Sequence, residues 1–391
     1  MQKKQKIGLV VSTMLIVRFF LLDHIARLSK DYDVTLIVNT RDMAVMGQQT
    51  LPVRVIHLEV ERKIAFKSDL AALLQLFKIL KRERFDLVHS ISPKTGLLAM
   101  VAGFMARVPI RLHTFQGEVW ATRRCFWRVL LKNLDRVVAT LATHLLVVSR
   151  SEQSFLIENR IIPKGKSTVL ASGSISGVDA ARFKPDQRAR AEVRRELNIK
   201  EDAIVFLYLG RLTVDKGVLD LAAAFARILE VQPDVHLVLV GPDEEGVQQE
   251  INRLHPACRH MHFCGYAHEP ERYLAASDVL CLPSYREGFG MVIIEAAAAG
   301  IPAIGSRIYG ITDAIVENET GLLFEAGNPA ELSGKMALLA GDSALRKAMG
   351  ERAMRRAHLE FLRERVLSAT LDYYHHLLPV RADAGLRSEG Q

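Results

Sequence analysis

Short apolar runs alternate with amphipathic helical segments along most of this 391-residue chain, and this alternation constrains the fold more than any other feature. Continuous runs of Val, Ile and Leu separated by helices are typical of parallel sheets covered by helices on both faces. The alternation breaks once, in a Gly- and Ser-rich segment over 171–185, and then restarts. The predicted strands are 7–12, 34–39, 53–58, 87–90, 110–114, 145–148, 204–209, 235–240, 260–264, 279–283, 302–305 and 321–324.

This pattern predicts an α/β chain with two Rossmann-like, doubly wound parallel-sheet domains that face each other across a cleft. We place the first domain at 1–180 and the second at 185–360, with a flexible connector between them. A long helical stretch is predicted over 343–377, and the polar tail over 380–391 is expected to be loosely ordered. Open α/β sheets bind ligands beyond the carboxyl ends of their strands, so the cleft is the predicted site.

The two halves of the chain carry charge of opposite sign. Residues 1–185 contain 29 Lys and Arg against 14 Asp and Glu, whereas the remainder contains 23 against 30. A basic half attracts nucleic acid, anionic lipid or phosphorylated ligands. No motif for nucleic-acid binding accompanies the charge, so we expect no nucleic-acid partner.

The cysteines and the apolar runs predict the cellular compartment of the protein and its relation to the membrane. The four cysteines form no CxxC pair, which favours reduced thiols in the cytoplasm. Lysines before the apolar run 7–17 are typical of a signal peptide, but Arg18 interrupts the run and no cleavage site follows. The longest other uncharged apolar stretch, 137–149, is shorter than the ~20 residues that span a bilayer. Any membrane attachment is therefore expected to be peripheral.

The segment Gly-Arg-Leu-Thr-Val-Asp-Lys-Gly, over 210–217, joins a predicted strand to a predicted helix. The strand end brings Arg211 to the ligand edge of the sheet, and Lys216 lies near the start of the helix. A guanidinium, an ammonium and helix-terminal amides together suit a diphosphate. A solvated surface turn is the alternative interpretation, and it would be favoured if this segment stood alone.

A second glycine-rich turn, Pro-Ser-Tyr-Arg-Glu-Gly-Phe-Gly, follows the strand over 279–282 and leads into a helix. Its glycines allow the backbone to approach a ligand closely. Glu287 and Glu295 are eight positions apart, so that they reach different ends of one ligand. Without the flanking glycines, an ordinary pair of helix-capping glutamates would be the favoured interpretation.

Together these segments resemble the motifs of the family 4 retaining glycosyltransferases, which have the GT-B fold. Residues 287–295 match that family's E-x7-E signature, and 210–217 match its GRL-x3-KG motif. The chain closely resembles bacterial enzymes that add a hexose or N-acetylhexosamine to a polyprenyl-diphosphate-linked sugar in surface-glycan assembly. Further matches are distributed along most of the chain, at 90–99, 113–117, 173–178, 239–242, 310–314 and 320–324.

The resemblance implies a role for each matched residue. Arg211 and Lys216 bind the donor diphosphate, Glu287 holds the transferred sugar, and Glu295 accepts hydrogen bonds from the ribose. His113 faces the donor sugar from the first domain, and the last helix, about 361–378, crosses back onto that domain. The other residues implied to contact the donor sugar, the distal phosphate or the base are Phe289, Gly290, Met291, Val292, Gly265 and Tyr266.

The resemblance also implies a UDP-linked sugar as a substrate, and no cofactor is expected. No DxD-type metal motif stands at a strand end, so we expect no divalent ion. His and Cys residues crowd between 255 and 268, but alternating side chains on one strand do not by themselves close a tetrahedral zinc site. Relatives carry a Gly-Gly turn after the first strand, where this chain has Ser12-Thr13-Met14 and Thr13 offers an amide and a hydroxyl.

The predicted helix over 121–141 has one apolar face and one basic flank. In one interpretation its apolar face packs on the sheet and the charges are solvated. In the other, the basic flank meets anionic lipid at up to ~1 kcal/mol per charge. We favour peripheral membrane binding near a lipid-diphosphate-linked saccharide acceptor. The residues assigned to the acceptor or the membrane are Thr13, Arg18, Lys94, Arg111, Arg124, Arg128 and Lys132.

Three other functions stay open at this point. A nucleotide-sugar 2-epimerase shares the architecture. A NAD-dependent oxidoreductase needs a G-x-G-x-x-G motif after the first strand, where only Gly8 is found. A non-enzymatic scaffold would bind lipid surfaces without affinity for a nucleotide-sugar.

Overall fold

The computed structural model describes residues 4–46, 50–60, 65–256 and 259–379. Within these residues two parallel β-sheets form, one in each half of the chain. The strands are β1 (Lys6–Val11), β2 (Asp33–Val38), β3 (Arg54–His57), β4 (Leu87–Ile91), β5 (Ile110–Phe115), β6 (His144–Val147), β7 (Ser167–Thr168), β8 (Ile204–Leu209), β9 (Val235–Val240), β10 (Met261–Gly265), β11 (Val279–Leu282), β12 (Ala303–Ser306) and β13 (Gly321–Phe324).

Helices connect successive strands, as parallel pairing requires. A π-helical segment, Val17–Leu21, follows α1, and short 3₁₀ turns occur at Met43–Met46, Val119–Thr122 and Val214–Lys216. The helices are α1 (Met14–Ile16), α2 (Leu22–Asp31), α3 (Phe66–Glu83), α4 (Pro93–Met105), α5 (Cys125–Leu141), α6 (Arg150–Glu158), α7 (Gln187–Glu196), α8 (Val218–Val231), α9 (Val247–Leu254), α10 (Pro270–Ala276), α11 (Met291–Ala298), α12 (Ile311–Ala314), α13 (Pro329–Gly341), α14 (Ser343–Glu360) and α15 (Arg363–Leu377).

The strands form for the reason that the sequence indicates: their apolar runs are buried on both faces of each sheet. All six residues of β9 are buried, and α8 covers the second sheet with an apolar stripe that includes Leu221, Phe225 and Ile228. This spacing of three to four residues places the three side chains on one helical face. The prediction of two doubly wound α/β domains is confirmed.

Both sheets reverse their strand order at an interior pair of strands. The order is β3-β2-β1-β4-β5-β6-β7 in the first sheet and β10-β9-β8-β11-β12-β13 in the second. The reversals lie between β1 and β4 and between β8 and β11. We call these two places the first and second switch points. In such sheets the loops at a switch point diverge and leave a crevice beyond the strand ends.

The connector over 171–185 is packed against both domains and is not the flexible segment that its Gly and Ser content predicts. The Ser174 amide donates to the Val148 carbonyl at 2.7 Å, and the Val178 amide donates to the Phe361 carbonyl at 2.7 Å. The Arg363 amide returns a bond to the Val178 carbonyl at 2.9 Å. Small side chains in this segment allow a close approach to neighbouring backbone, which outweighs its intrinsic flexibility.

The helical stretch predicted over 343–377 is interrupted where the chain bonds to Val178. α14 ends at Glu360 and α15 starts at Arg363. α15 then packs on the first sheet, where the Tyr374 hydroxyl and His89 Nδ1 are 2.6 Å apart. The Tyr32 hydroxyl donates to the Leu378 carbonyl at 2.8 Å, which fixes the end of this helix.

The strands differ from the sequence prediction in two further details. The structure adds the two-residue strand β7, which was not predicted, and β10 starts one residue later than the predicted strand over 260–264. The predicted tail over 380–391 lies outside the described residues. In the part of the chain that the structure describes, no helix is both long enough and apolar enough to cross a bilayer.

Candidate active site

The loops at the second switch point bring Lys216 and Glu287 together. Lys216 Nζ lies 2.6 Å from Glu287 Oε1, and the Ser284 hydroxyl donates to the same oxygen at 2.8 Å. The two charged side chains are only 17% and 16% exposed. Residues that are 71 positions apart in the sequence therefore form one partly buried ion pair at the ligand edge of the sheet.

Gly217 allows the two loops to approach this closely. Its φ is +69°, and a Cβ at this position would lie 2.0 Å from the Pro283 carbonyl oxygen. Any other L-residue would therefore push the loop after β8 away from the loop after β11. The Gly residue that ends the 210–217 motif is required by the backbone geometry of the site.

Arg211 lies at the end of β8 and is bound by a carboxylate from the neighbouring loop. Its Nη1 is 2.7 Å from Glu244 Oε2, and the Tyr208 hydroxyl donates to the Arg211 carbonyl at 2.7 Å. Burial raises the pKa of Tyr208, and the nearby carboxylates of Glu287 and Asp215 raise it further. The phenol therefore stays protonated and holds the backbone beneath the Arg211 guanidinium.

Two residues that the sequence analysis did not assign complete this cluster. Arg286 Nη2 lies 3.2 Å from Asp215 Oδ2, and Arg286 Nη1 donates to the Gly117 carbonyl of the first domain at 3.2 Å. Arg286 Nε is buried and has no hydrogen-bond partner among the described residues. Asp215 lies inside the 210–217 motif and Arg286 lies inside the glycine-rich turn after β11. Their position within these two segments is the signal that could have identified them.

The helix that carries Glu295 starts at Met291, directly after the glycine-rich turn. Glu295 therefore lies about one turn inside α11, and burial raises the pKa of its carboxyl to about 7, which Arg182 opposes. The first amides of a helix lack intrahelical partners, so those near Gly290, Met291 and Val292 are available at the switch point.

The other residues implied to contact the donor are placed in different ways. Phe289 is buried, with its ring 5.3 Å from that of Phe361, so that only its backbone is offered to the cleft. The Ser174 hydroxyl lies 3.0 Å from the Met291 sulfur. Gly265 and the half-exposed Tyr266 end β10, the edge strand two positions from β8.

His113 is not brought to this cluster. Its imidazole is 2% exposed, and Nδ1 lies 2.9 Å from the Ser90 hydroxyl. A Cβ on Gly96 would lie 2.4 Å from the ring, so helix α4 packs directly over it. Burial lowers the pKa of His113 to about 3. The expectation that His113 faces a donor sugar is not met, because the strand directs this side chain beneath α4.

Gln116 and Gly117 approach the second domain instead. A Cβ on Gly288 would lie 2.8 Å from the Gln116 carbonyl carbon, and one on Gly117, whose φ is +90°, would lie 3.0 Å from the Gly288 amide nitrogen. The loop after β5 therefore touches the glycine-rich turn of the second switch point. This contact was not predicted, because it depends on how the two domains pack.

The residues assigned to the acceptor divide into two groups. Thr13 and Lys94 follow β1 and β4 at the first switch point, where Lys94 is paired with Asp69 at 2.5 Å. Arg18 lies in the π-helical segment, 5.7 Å from the centre of the Phe19 ring.

Arg111 stands at the opposite end of the parallel sheet, near the start of β5. Its guanidinium donates to the Leu141 and Val108 carbonyls, which excludes it from the ligand edge.

Helix α5 is packed at its carboxyl end and exposed at its start. Val138 is buried, whereas Phe126 and Trp127 are 69% and 49% exposed. Arg128 and Lys132 lie over the Trp120 ring, and Arg124 is exposed at the helix start. The carboxyl half of the helix therefore packs as the first interpretation expects, and lipid contact at its exposed start stays a prediction.

Within the described ranges, no cluster of three His, Cys, Asp or Glu side chains has the arrangement of a metal site. His236 Nδ1 and His262 Nε2 are 3.0 Å apart on neighbouring strands, so they satisfy each other. Cys258, which belongs to the His- and Cys-rich segment, lies outside the described residues. The expectation of a metal-free enzyme stays a prediction.

The sequence matches two protein-family descriptions, which together cover most of the chain. "Glycosyl transferases group 1" matches residues 189–356, and "Glycosyl transferase 4-like domain" matches residues 21–173. The two families divide the chain between its sheets, so each domain has its own match.

Relatives with assigned activities agree with these families. The chain is 31% identical over 274 residues to the Escherichia coli UDP-Gal:alpha-D-GlcNAc-diphosphoundecaprenol alpha-1,3-galactosyltransferase, covering 68% of each chain. It is 28% identical over 306 residues to the Staphylococcus aureus capsular polysaccharide biosynthesis glycosyltransferase CapM, covering 78% of this chain and 80% of that one.

Solved structures show the same fold at lower identity. The Anabaena HepE protein in complex with UDP and glucose has a TM-score of 0.79 and 18% identity, covering 95% of this chain and 100% of that one. Sucrose-phosphate synthase from Thermosynechococcus elongatus has a TM-score of 0.78 and 21% identity, covering 96% and 99%.

Two switch-point sheets that face one cleft form the GT-B fold, and the two family matches confirm the resemblance stated from the motifs. The chain belongs to the group 1, family 4-like glycosyltransferases and is an enzyme of polysaccharide or glycan biosynthesis.

Proposed function

We propose that this enzyme transfers a hexose or N-acetylhexosamine, with retention, from a UDP-sugar to a lipid-diphosphate-linked saccharide of bacterial surface glycan. The Lys216–Glu287 pair at the second switch point is the observation that carries the proposal. The E. coli relative, whose acceptor is a GlcNAc-diphosphoundecaprenol, supports this acceptor class. The fold neighbour that binds UDP and glucose supports the donor class.

The donor diphosphate is bound by Arg211 and Lys216. In this structure each cation is held by one carboxylate, Glu244 and Glu287 respectively. A diphosphate presents more negative charge than either carboxylate, so it competes for both cations. Glu287 is then free to accept hydrogen bonds from the hydroxyls of the transferred sugar.

Transfer breaks the bond between the anomeric carbon and the diphosphate oxygen, and a bond to the acceptor hydroxyl oxygen forms on the same face. Negative charge develops on the departing diphosphate. Arg211, Lys216 and the amides at the start of α11 stabilise that charge. The acceptor proton passes to the departing phosphate oxygen, so the step requires no protein base.

The nucleoside is bound farther along the same sheet edge. The Glu295 carboxylate accepts hydrogen bonds from the ribose hydroxyls, a role that acidic residues commonly fill in dinucleotide sites of this topology. The Gly265–Tyr266 turn at the end of β10 contacts the base. The half-exposed Tyr266 ring provides a flat apolar surface for that contact.

The acceptor binds at the first switch point, where Thr13 follows β1 and Lys94 follows β4. The Ser12 and Ser92 hydroxyls lie 3.3 Å apart at the same edge. Hydroxyls and one cation suit a saccharide that is attached to a diphosphate.

The first domain also contacts the inner face of the plasma membrane. α4 packs against both α3 and α5, so these helices share one face of the sheet. Phe66, Leu70 and Leu74 form an exposed stripe on α3, and Phe126 and Trp127 are exposed on α5. Aromatic side chains beside Arg124 and Arg128 suit the interface of an anionic bilayer. We therefore propose a cytoplasmic enzyme that is peripherally bound.

The test is a product analysis with the full chain, a panel of UDP-sugars and a synthetic lipid-diphosphate saccharide. The expected product is the extended acceptor, with the anomeric configuration of the donor by NMR. Free epimerised nucleotide-sugar in the absence of acceptor would identify a 2-epimerase instead. Vesicle binding without any nucleotide-sugar affinity would identify a scaffold, and either result overturns the proposal.

A further inference from the structure

Two glutamates are buried together where the first domain touches the donor site. Glu118 precedes the 3₁₀ turn at Val119–Thr122 and is 2% exposed, and Glu152 of α6 is fully buried. The Glu152 carboxylate accepts from the Gly117 amide and, at 3.3 Å, from the Val148 amide. Neither carboxyl oxygen of Glu118 has a hydrogen-bond donor among the described residues.

Two ionised carboxylates would be strongly unfavourable in this position. Burial of an unpaired charge costs several kcal/mol, and two like charges raise each other's affinity for a proton. Burial raises the pKa of Glu118 to about 7 and that of Glu152 well above its usual range. One proton held between them gives the orphaned Glu118 oxygens a donor and leaves Glu152 able to accept from Gly117.

The groups that surround the pair do not neutralise it. Asp135 of α5 accepts from Trp120 Nε1 at 2.8 Å, and burial raises the pKa of its carboxyl to about 7. The Tyr309 hydroxyl, from the second domain, accepts from the Glu118 amide at 3.3 Å. The same hydroxyl lowers the pKa of the Glu118 carboxyl, but by less than burial raises it. Within the described ranges, no Lys or Arg forms an ion pair with Glu118, Glu152 or Asp135. A proton is therefore the available counter-charge.

The backbone between these side chains is the part of the first domain that touches the donor turn. The Gly117 carbonyl accepts from Arg286, which also binds Asp215 in the 210–217 motif. A second contact lies beside it, where the Arg150 and Ser151 amides at the start of α6 each donate to Asp313 at 3.0 Å. The ring of Phe155, also on α6, stacks on Tyr309 at 4.3 Å.

We propose that Glu118 and Glu152 are positioning residues that share one proton and thereby hold the 116–118 loop against the donor turn. When the shared proton is lost, the two negative charges repel each other and the interdomain contact weakens. Closure of the cleft over the donor is therefore coupled to proton uptake. This inference rests on the donor site of the proposed function, but its direct readouts do not require turnover.

The sign of the coupling follows from proton linkage. The closed contact binds one proton more than the same glutamates in contact with water, so closure weakens as the pH rises above the usual carboxyl range. The KM for the donor is expected to rise with pH, by up to about tenfold per unit, until the shared proton is lost. Glu295, in the donor site, titrates in the same pH range. The test therefore compares the pH dependence of the KM between the wild type and variants that lack one glutamate of the pair but keep Glu295.

The experiment compares Glu118→Gln and Glu152→Gln with the wild type and with Glu158→Gln, an exposed glutamate on the same helix. An amide supplies the missing donor without a titratable proton. Glu118→Gln should keep kcat, lower the donor KM relative to the wild type above pH 7, and flatten its pH dependence. Glu152→Gln should also flatten the pH dependence, but at a higher KM, because its amide nitrogen meets the backbone N–H of Gly117 or Val148. Glu158→Gln should behave as the wild type, and a simple structural role would raise the KM of Glu118→Gln by the same factor at every pH.

Two measurements on the full chain without substrate complete the test. Infrared difference spectra should contain protonated-carboxyl bands near neutral pH, and each glutamine variant should lose the component that belongs to this pair while keeping those of Asp135 and Glu295. Small-angle scattering should show the wild type opening between pH 6 and pH 8, as about one proton is lost per molecule, while Glu118→Gln stays closed. An absent carboxyl band, or variants with the pH slope of the wild type, would overturn the inference. Transfer of a different sugar would not.

Discussion

The two sheets share one strand order up to the added strand β7, yet their switch points contain different chemistry. The second has three cations, Arg211, Lys216 and Arg286, each paired with a carboxylate, and glycine-rich turns around α11. The first has the hydroxyls of Ser12, Thr13 and Ser92, with one paired cation, Lys94. Both crevices follow from the shared topology. Under the proposed function, the cation-rich second switch point receives the donor diphosphate and the hydroxyl-rich first switch point receives the acceptor saccharide.

The interiors differ in a parallel way. The first domain buries several titratable side chains, among them His24, His89 and Glu152. The second domain buries Arg194, whose guanidinium binds Asp278 at 2.7 Å and the Ala203 carbonyl at 2.9 Å. Both interiors hold groups whose pKa is shifted by burial, since Glu295 and His236 lie in the second domain, but the buried guanidinium of the second domain is already paired.

The largest expected effect separates the two switch points. Lys216→Ala removes a cation that stabilises the departing diphosphate, so kcat/KM should fall roughly 10²–10³-fold. Thr13→Ala removes one neutral hydroxyl and should cost less than about tenfold. Steady-state kinetics measures both, with Lys184→Ala, an exposed lysine outside both sites, as the control. An equal loss in the two variants would contradict the division of roles.

A smaller effect concerns the backbone. Gly217→Ala places a Cβ 2.0 Å from a carbonyl oxygen at a left-handed φ, so it should lower the free energy of unfolding by roughly 3 kcal/mol. Gly8→Ala in β1 meets only the Phe85 ring, at 3.2 Å, and should cost about 1 kcal/mol. Denaturant unfolding followed by circular dichroism checks this order, which a larger cost for Gly8→Ala would reverse.

The buried histidines give the first domain a pH dependence. Burial lowers the pKa of His89 to about 3, so protons favour the unfolded chain as the pH falls below about 6.5. His89→Gln keeps one donor and one acceptor for Tyr374 and Thr114. Its stability deficit relative to the wild type should shrink by roughly 2 kcal/mol from pH 7 to pH 5.

Fluorescence of the two tryptophans, Trp120 and Trp127, reports unfolding of the first domain directly, because both lie there. The exposed His268→Gln is the matched control and should show no such change. A deficit for His89→Gln that is constant between the two pH values would show that the ring is not neutral in the folded chain.

The smallest expected effect tests the membrane surface of the first domain. Arg124→Ala should weaken sedimentation with anionic vesicles at low salt by about 1 kcal/mol, or roughly fivefold. Arg195→Ala, an exposed arginine on α7 of the second domain, should leave it unchanged. Equal binding of the wild type to neutral and anionic vesicles would remove the electrostatic part of the proposal.

The features that the sequence predicted best are those determined by residues close together in the chain. β8, β9 and β13 have the predicted bounds, because buried apolar runs define strands without reference to distant residues. The sequence assigned Lys216 and Glu287 to one donor site, because their two motifs each follow a strand, but it did not predict that they form an ion pair. Their adjacency is a consequence of parallel topology, in which the carboxyl ends of neighbouring strands meet.

What depends on packing was not predictable. The sequence does not show that α4 covers the His113 ring, or that Arg111 stands at the far end of the sheet. The pairing of Glu118 with Glu152 requires the loop after β5 to fold back on α6, and their contact with Tyr309 requires both domains. No spacing in the sequence encodes such contacts.

The hydrogen bonds between Val178 and the chain at Phe361 and Arg363 have a mechanical consequence. The polypeptide passes between the two lobes at these two places, and both passages are tied side by side. Any motion that keeps those bonds is a swing about a common pivot. The proposed acceptor and nucleotide-sugar sites, one on each domain, therefore approach each other by rotation about this pivot. Substitutions at the pivot would alter the angle between the two domains without contacting either substrate.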